Sequence, residues 1–225
     1  MNRKLFALPL LFAVVSASAT TVYSEDFEGA VGAEWAGGGT VQATNGLSAF
    51  GFGRLHLKND GTSSSVLTQS GLASHTQLTL SFNLALWDSI DLGDRFIILI
   101  DGTAVYDSID FGNYFPADNI GHGPGTNITA AFTSFSGPDY GYNSGFRDSA
   151  RQASFTVPHT ANGVSISWQF PGSQGGSDES FGIDNVVLSI NAVPPTGQLP
   201  IPATPALVAT ALLAAGLLSR RRQVR

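Results

Sequence analysis

From Leu78 to Leu86 the chain alternates: Leu78, Leu80, Phe82, Leu84 and Leu86 against Thr79, Ser81, Asn83 and Ala85. A period of two marks a strand with one face in a core. Val164, Ile166, Trp168 and Phe170 alternate with Ser165, Ser167 and Gln169 in the same way. Arg95 to Ile100 is apolar nearly throughout, which predicts a central strand covered on both faces. Asp101-Gly102 then signals a hairpin turn, with Thr103 to Tyr106 returning. Thr21–Ser24, Arg54–Leu57, Ser65–Leu67, Gln152–Val157 and Ile183–Ile190 read as further strands. Many short strands without helical periodicity predict an all-β protein, a two-sheet antiparallel sandwich. The stretch from Phe111 to Ala150, rich in Gly and aromatics, fits that pattern poorly and reads as a long connection.

The two ends have another character. Arg3 and Lys4 precede an apolar run from Leu5 to Val15, and Ala17-Ser18-Ala19 is a small-residue cleavage site. Residues 1–19 therefore read as a Sec-type secretory signal peptide. Residues 20–193 form the body and 194–199 a Pro-rich linker. Residues 200–225 contain a Pro motif, an apolar run from Ala206 to Leu218 and the cluster Arg220, Arg221 and Arg222. As a short C-terminal hydrophobic helix that run spans roughly 20 Å, less than the ~30 Å hydrocarbon core. One reading is a plain membrane anchor with the arginines on the cytoplasmic side.

Charge follows the same division. The chain has 11 basic and 17 acidic residues, and six of the basic ones lie in the two ends. The body keeps five basic and all seventeen acidic residues, a net of −12. Such a surface repels nucleic acid and suits a divalent cation or a neutral partner. The absence of cysteine excludes a thiolate nucleophile and thiolate metal sites.

Pro200-Ile201-Pro202-Ala203-Thr204, an apolar stretch and an arginine cluster together resemble the PEP-CTERM sorting signal of Gram-negative bacteria. Ile201 stands where that family has Glu. The resemblance implies recognition by an exosortase-type membrane enzyme, with Pro200, Pro202, Ala203, Thr204, Arg220, Arg221 and Arg222 as the sorting elements. It also implies transient anchoring in the inner membrane, then placement at the cell surface or in an exopolysaccharide or biofilm matrix.

The body opens Ser24-Glu25-Asp26-Phe27-Glu28-Gly29 and closes Phe181-Gly182-Ile183-Asp184-Asn185-Val186. These ends resemble the first and last strands of jelly-roll domains of the concanavalin-like, MAM and carbohydrate-binding-module type. Several of those families join the two strands through a structural calcium. Carried over, Glu28 and Asp184 would supply side-chain oxygens, with Asp26 and Asn185 as further candidates; hard oxygens are what calcium needs. The alternative is that Asp184 caps a turn or bonds backbone in the opening strand. Asp88, Asp91 and Asp94 form an acidic loop that lacks the Gly and terminal Glu of a calcium-binding loop.

Catalysis finds little support. Asp178 and Glu179 are paired carboxylates, but the Glu-x-Asp-x-x-Glu strand pattern of jelly-roll glucanases is absent. His56, His75, His122 and His159 are scattered, with no i, i+4 pair. Trp168 lies on the apolar face of its strand and reads as core. Trp35, Trp87, Tyr140 and Tyr142 are the candidates for a sugar-stacking surface. The sequence thus favours a non-catalytic exported protein that binds exopolysaccharide. A structural matrix protein with no glycan ligand is the alternative, and a divergent glycoside hydrolase a more distant one.

Overall fold

A computed structural model describes residues 19–44, 47–88, 94–108, 129–136, 149–171 and 179–192, with the backbone alone for 129–136. Residues 1–18 of the signal peptide, the sorting tail, Tyr140 and Tyr142 lie outside these residues.

The described chain is a two-sheet antiparallel sandwich of the jelly-roll type. Its strands are β1 (Ala19–Glu25), β2 (Trp35–Gly37), β3 (Thr40–Ala43), β4 (Leu55–Asp60), β5 (Ser64–Ser70) and β6 (His75–Asp88). They continue with β7 (Phe96–Ile100), β8 (Thr103–Ser108), β9 (Thr129–Ser136), β10 (Ser149–Pro158), β11 (Gly163–Gln169) and β12 (Glu179–Ala192). The first sheet runs β3-β4-β12-β6-β10-β9, with β1 also paired to β12. The second runs β2-β5-β11-β7-β8. Consecutive strands change sheet at β1–β2, β2–β3, β4–β5, β5–β6, β6–β7, β8–β9, β10–β11 and β11–β12.

The alternation in β6 does what its period predicts. Leu78, Leu80, Phe82, Leu84 and Leu86 are all buried in the core between the sheets. Val164, Ile166 and Trp168 meet them from β11. Phe82 and Trp168 pack edge to face with centroids 5.7 Å apart, as do Phe96 and Phe181 at 5.2 Å. The apolar run of β7 differs from expectation. Phe96, Ile98 and Ile100 are buried, whereas Ile97 and Leu99 are only partly so. β7 is next to the edge strand β8, and one of its faces is incompletely covered. Asp101-Gly102 makes the expected β7–β8 turn, with φ of 50° and 75°. β9 lies within the stretch that reads as a long connection, paired to β10 from Thr129↔Thr156 to Ser136↔Ser149.

β12 contains the feature that positions the site. Opposite β6 its register runs to Asp184↔Asn83 and resumes at Val187↔Ser81. Three steps on β12 face two on β6, so one extra residue is inserted as a β-bulge. Asn185 has φ 50°, the left-handed region that Asn tolerates better than most residues. The bulge resets the strand's parity. Phe181 and Ile183 point into the core before it, and Val186 and Leu188 after it, with Ile190 also buried.

Candidate functional site

The outer face of the first sheet carries a strap, residues 47–55, beginning with a 3-10 turn at Leu47–Phe50. Leu47 and Phe52 pack onto Ala85, Trp87 and Ala150 and form a second, smaller apolar cluster. The sheet thus has a core on each side in this half, and the strap covers the outer one.

Polar groups of β12, β6 and the opening loop latch the strap down. Asp184 Oδ2 accepts the N–H of Gly53 at 2.7 Å, and Oδ1 accepts that of Asn185 at 2.7 Å. The side-chain amides of Asn83 and Asn185 both donate to the Gly51 carbonyl, each at 2.7 Å. Glu28 Oε1 accepts the N–H of Leu55 at 3.0 Å and also that of Arg54. Its Oε2 lies 3.0 Å from the Arg54 guanidinium. Asp26 acts one step back: its Oδ1 accepts the N–H of Glu28 at 3.1 Å, beside Phe27 at φ 54°. The four residues proposed from the sequence as calcium ligands therefore converge on one strap. An added Cβ at Gly53 would overlap the Glu28 carboxylate, which would have to move.

The electrostatics of the two main acids diverge. Asp184 is fully buried. Burial pushes its carboxyl up to about 6, although its two backbone N–H partners pull the other way. The charges of Glu28 and Asp26 add to the rise. Glu28 is held below the usual carboxylate range, first by the Leu55 N–H and then by Arg54. Among the described residues no three His, Cys, Asp or Glu side chains are grouped as a metal cage. The donor set is nonetheless one of hard oxygens, and the mutual repulsion of three carboxylates is what a bound cation would relieve.

The aromatic candidates stand elsewhere. Trp87 is 6 % exposed, on the outer face, with its ring 4.9 Å from that of His56 and Leu47 and Phe52 in the same cluster. Its indole has no face to offer a sugar. Trp35 is half-buried, stacked on Trp168 at 5.5 Å and edge-on to Phe27 at 5.2 Å. Its Nε1 donates to the Tyr23 hydroxyl at 2.6 Å. Burial pushes the Tyr23 phenol well above its ordinary range. Trp35 thus helps to close the core beside the second sheet. Trp168 is core, as its alternation predicts.

Beside the strap lies a groove of about 300 Å³ on the outer face of β6, β10 and β12. Ser81, Asn83, Gln152, Ser154 and Asn185 supply its polar lining. Asn83 and Asn185 belong to both the latch and the groove, so strap and groove share a wall. Sequence reasoning missed this surface because it sought aromatics. The signal was available in the polar members of the alternation: Ser81 and Asn83 on β6, Gln152 and Ser154 on β10.

No family model matches the chain, and no curated protein matches it. Solved structures do resemble it. The xylan-binding CBM22-1 domain of Paenibacillus barcinonensis is 8% identical, with a TM-score of 0.43, over 80% of this chain and 99% of that one. A cleaved adhesin domain of Lys-gingipain from Porphyromonas gingivalis is 12% identical, with a TM-score of 0.47, over 77% and 99%. The catalytic domain of an alpha-1,3-glucanase is 14% identical, with a TM-score of 0.37, over 80% of this chain and 30% of that one.

Proposed function

We propose that this chain is an exported, non-catalytic protein that binds a neutral polysaccharide in the groove beside the strap. The observation that carries the reading is the lining itself: three carboxamides and two hydroxyls on a rigid sheet. Each carboxamide offers a donor and an acceptor, which suits the paired hydroxyls of a sugar ring. Flanking strands fix these side chains, so little ordering is needed on binding. The acidic body disfavours polyanions and leaves neutral chains as the matching class.

The sorting elements at the C-terminus support delivery by an exosortase-type enzyme, from the inner membrane to the cell surface or matrix. A structural calcium at Asp26, Glu28 and Asp184 belongs to the same proposal, holding the strap that walls the groove. A second reading, a matrix protein with no specific glycan, is favoured by one observation: Trp35 and Trp87 are engaged in packing.

Retention of the protein by a panel of insoluble polysaccharides tests the choice. Retention that Gln152→Ala with Ser154→Ala abolishes, without polymer cleavage and without a change in melting temperature, supports the groove. Equal retention of wild type and variant overturns the groove as the binding site, and retention by no polymer overturns glycan binding in favour of the structural reading.

A further inference from the structure

At the end of the sandwich away from the strap, three titratable side chains form a line. His75 opens β6, His159 follows β10, and Asp101 sits in the β7–β8 turn of the other sheet. His75 Nδ1 lies 2.6 Å from the Ala73 carbonyl oxygen. His75 Nε2 lies 2.6 Å from His159 Nδ1. His159 Nε2 lies 3.0 Å from Asp101 Oδ2, while Asp101 Oδ1 accepts the Ser165 N–H at 2.9 Å. Both histidines are buried, at 4 % and 8 % exposure.

Counting protons along this line fixes its charge. A carbonyl only accepts, so His75 Nδ1 carries a hydrogen. A carboxylate only accepts, so the His159–Asp101 contact needs a second. The two inner nitrogens face each other and need a third between them. Their ring planes are 14° apart with centroids at 4.9 Å. Face-to-face stacking would hold the nitrogens ~3.5 Å apart or more, so the 2.6 Å contact lies in the ring planes, along the lone pairs. Two neutral imidazoles carry two ring protons, and these contacts require three.

We infer that His75 and His159 share one extra proton, as an imidazole–imidazolium pair neutralised by Asp101, and that this proton closes a clasp between the two sheets. A metal ion does not fit the same gap: two nitrogens on tetrahedral zinc sit ~3.3 Å apart at ordinary bond lengths. Among the described residues, Asp101 is the charged group that faces the pair. β12 contributes Asn191 and Ala192 nearby, and β11 contributes Ser165, none of which titrates. When the shared proton leaves, one of two contacts goes with it. Either the inner lone pairs oppose each other, or the His159 lone pair opposes the carboxylate.

Asp101→Asn separates this clasp from ordinary packing. The new amide donates to His159 Nε2, so His159 Nδ1–H can serve His75 and the pair needs no extra proton. Asn is well tolerated at a φ of 50° in a turn, and the Asp101 side chain is 44 % exposed, so the variant folds. Imidazole ¹⁵N spectra of the full chain at about pH 6, with His75 assigned through His75→Gln, count the ring protons directly. Three on the wild-type pair and two on the variant are expected. Two on the wild type at about pH 6, or three persisting in Asp101→Asn, overturns the inference. The wild-type count decides by itself if the variant is poorly behaved.

Discussion

Asp184 and Gly53 are 131 residues apart in the chain and 2.7 Å apart in the fold, carboxylate oxygen to backbone N–H. This bond ties the closing strand of the jelly roll to the strap on its outer face. Asp184 is buried, so the bond is made away from competing water.

Asp184→Ala therefore releases the strap. It leaves the Gly53 and Asn185 N–H groups without their acceptor, at a cost of about 2–4 kcal/mol. Chemical denaturation will show that loss in chelator as well as in calcium. Amide exchange at Gly53 will rise above its wild-type rate, and retention on polysaccharide will fall with it, because Asn185 leaves the groove wall.

Calcium is tested separately by adding it to the wild type. If the ion sits among Asp26, Glu28 and Asp184, millimolar calcium raises the melting temperature, and Glu28→Gln abolishes the increment. A melting temperature that calcium does not change leaves the strap held by its hydrogen bonds, the Arg54–Glu28 ion pair and its apolar cluster, without a metal.

Two buried groups give opposite pH dependences. Asp184 has a folded value of about 6 against an ordinary 3.8, so the native state binds the extra proton. Its contribution strengthens as pH falls from about 6 towards 4 and is lost as pH rises through 6. His56 is held down to about 4 from 6.5, by burial first and Lys58 second, so the unfolded state binds the proton. Its contribution is present above 6.5 and is lost as pH falls towards 4. Each shift corresponds to roughly 3 kcal/mol, and the two largely offset each other. His56→Phe should make the protein more stable relative to wild type on acidification, and Asp184→Ala less. Denaturation midpoints across that range, taken as differences from wild type, check both signs.

Gly182→Ala tests the outer apolar cluster. A Cβ there would lie 2.6 Å from His56 Cδ2 and overlap the Trp87 ring. The two aromatics would have to shift, at a cost of about 1–3 kcal/mol. Trp87 fluorescence will change in the variant. An unchanged denaturation midpoint would mean that the cluster is loosely packed.

The sheets were legible in the sequence because alternation is a local signal. β6 and β11 follow from it residue by residue. β2 and β3 do not, since Trp35–Gly37 and Thr40–Ala43 are too short and Gly-rich to show a period. Trp87 breaks the parity of Leu78 to Leu86, which places it on the outer face. Nothing local announces that Leu47 and Phe52 cover it from the strap. The pairing of Glu28 with Asp184 across one strap came from family resemblance, not from any spacing. His75 and His159 looked scattered because 84 residues separate them, and only the antiparallel β6–β10 register brings them together.

The bulge at Asp184–Asn185 makes β12 a message read in two frames. Its odd residues spell the core before the bulge, and its even residues after it. A single deletion at Asn185 would merge the frames. Val186, Leu188 and Ile190 would still face the core, in one unbroken alternation with Phe181 and Ile183, but the Asn185 amide that holds the Gly51 carbonyl would be gone. The extra residue of length in this strand thus serves the strap, not the core.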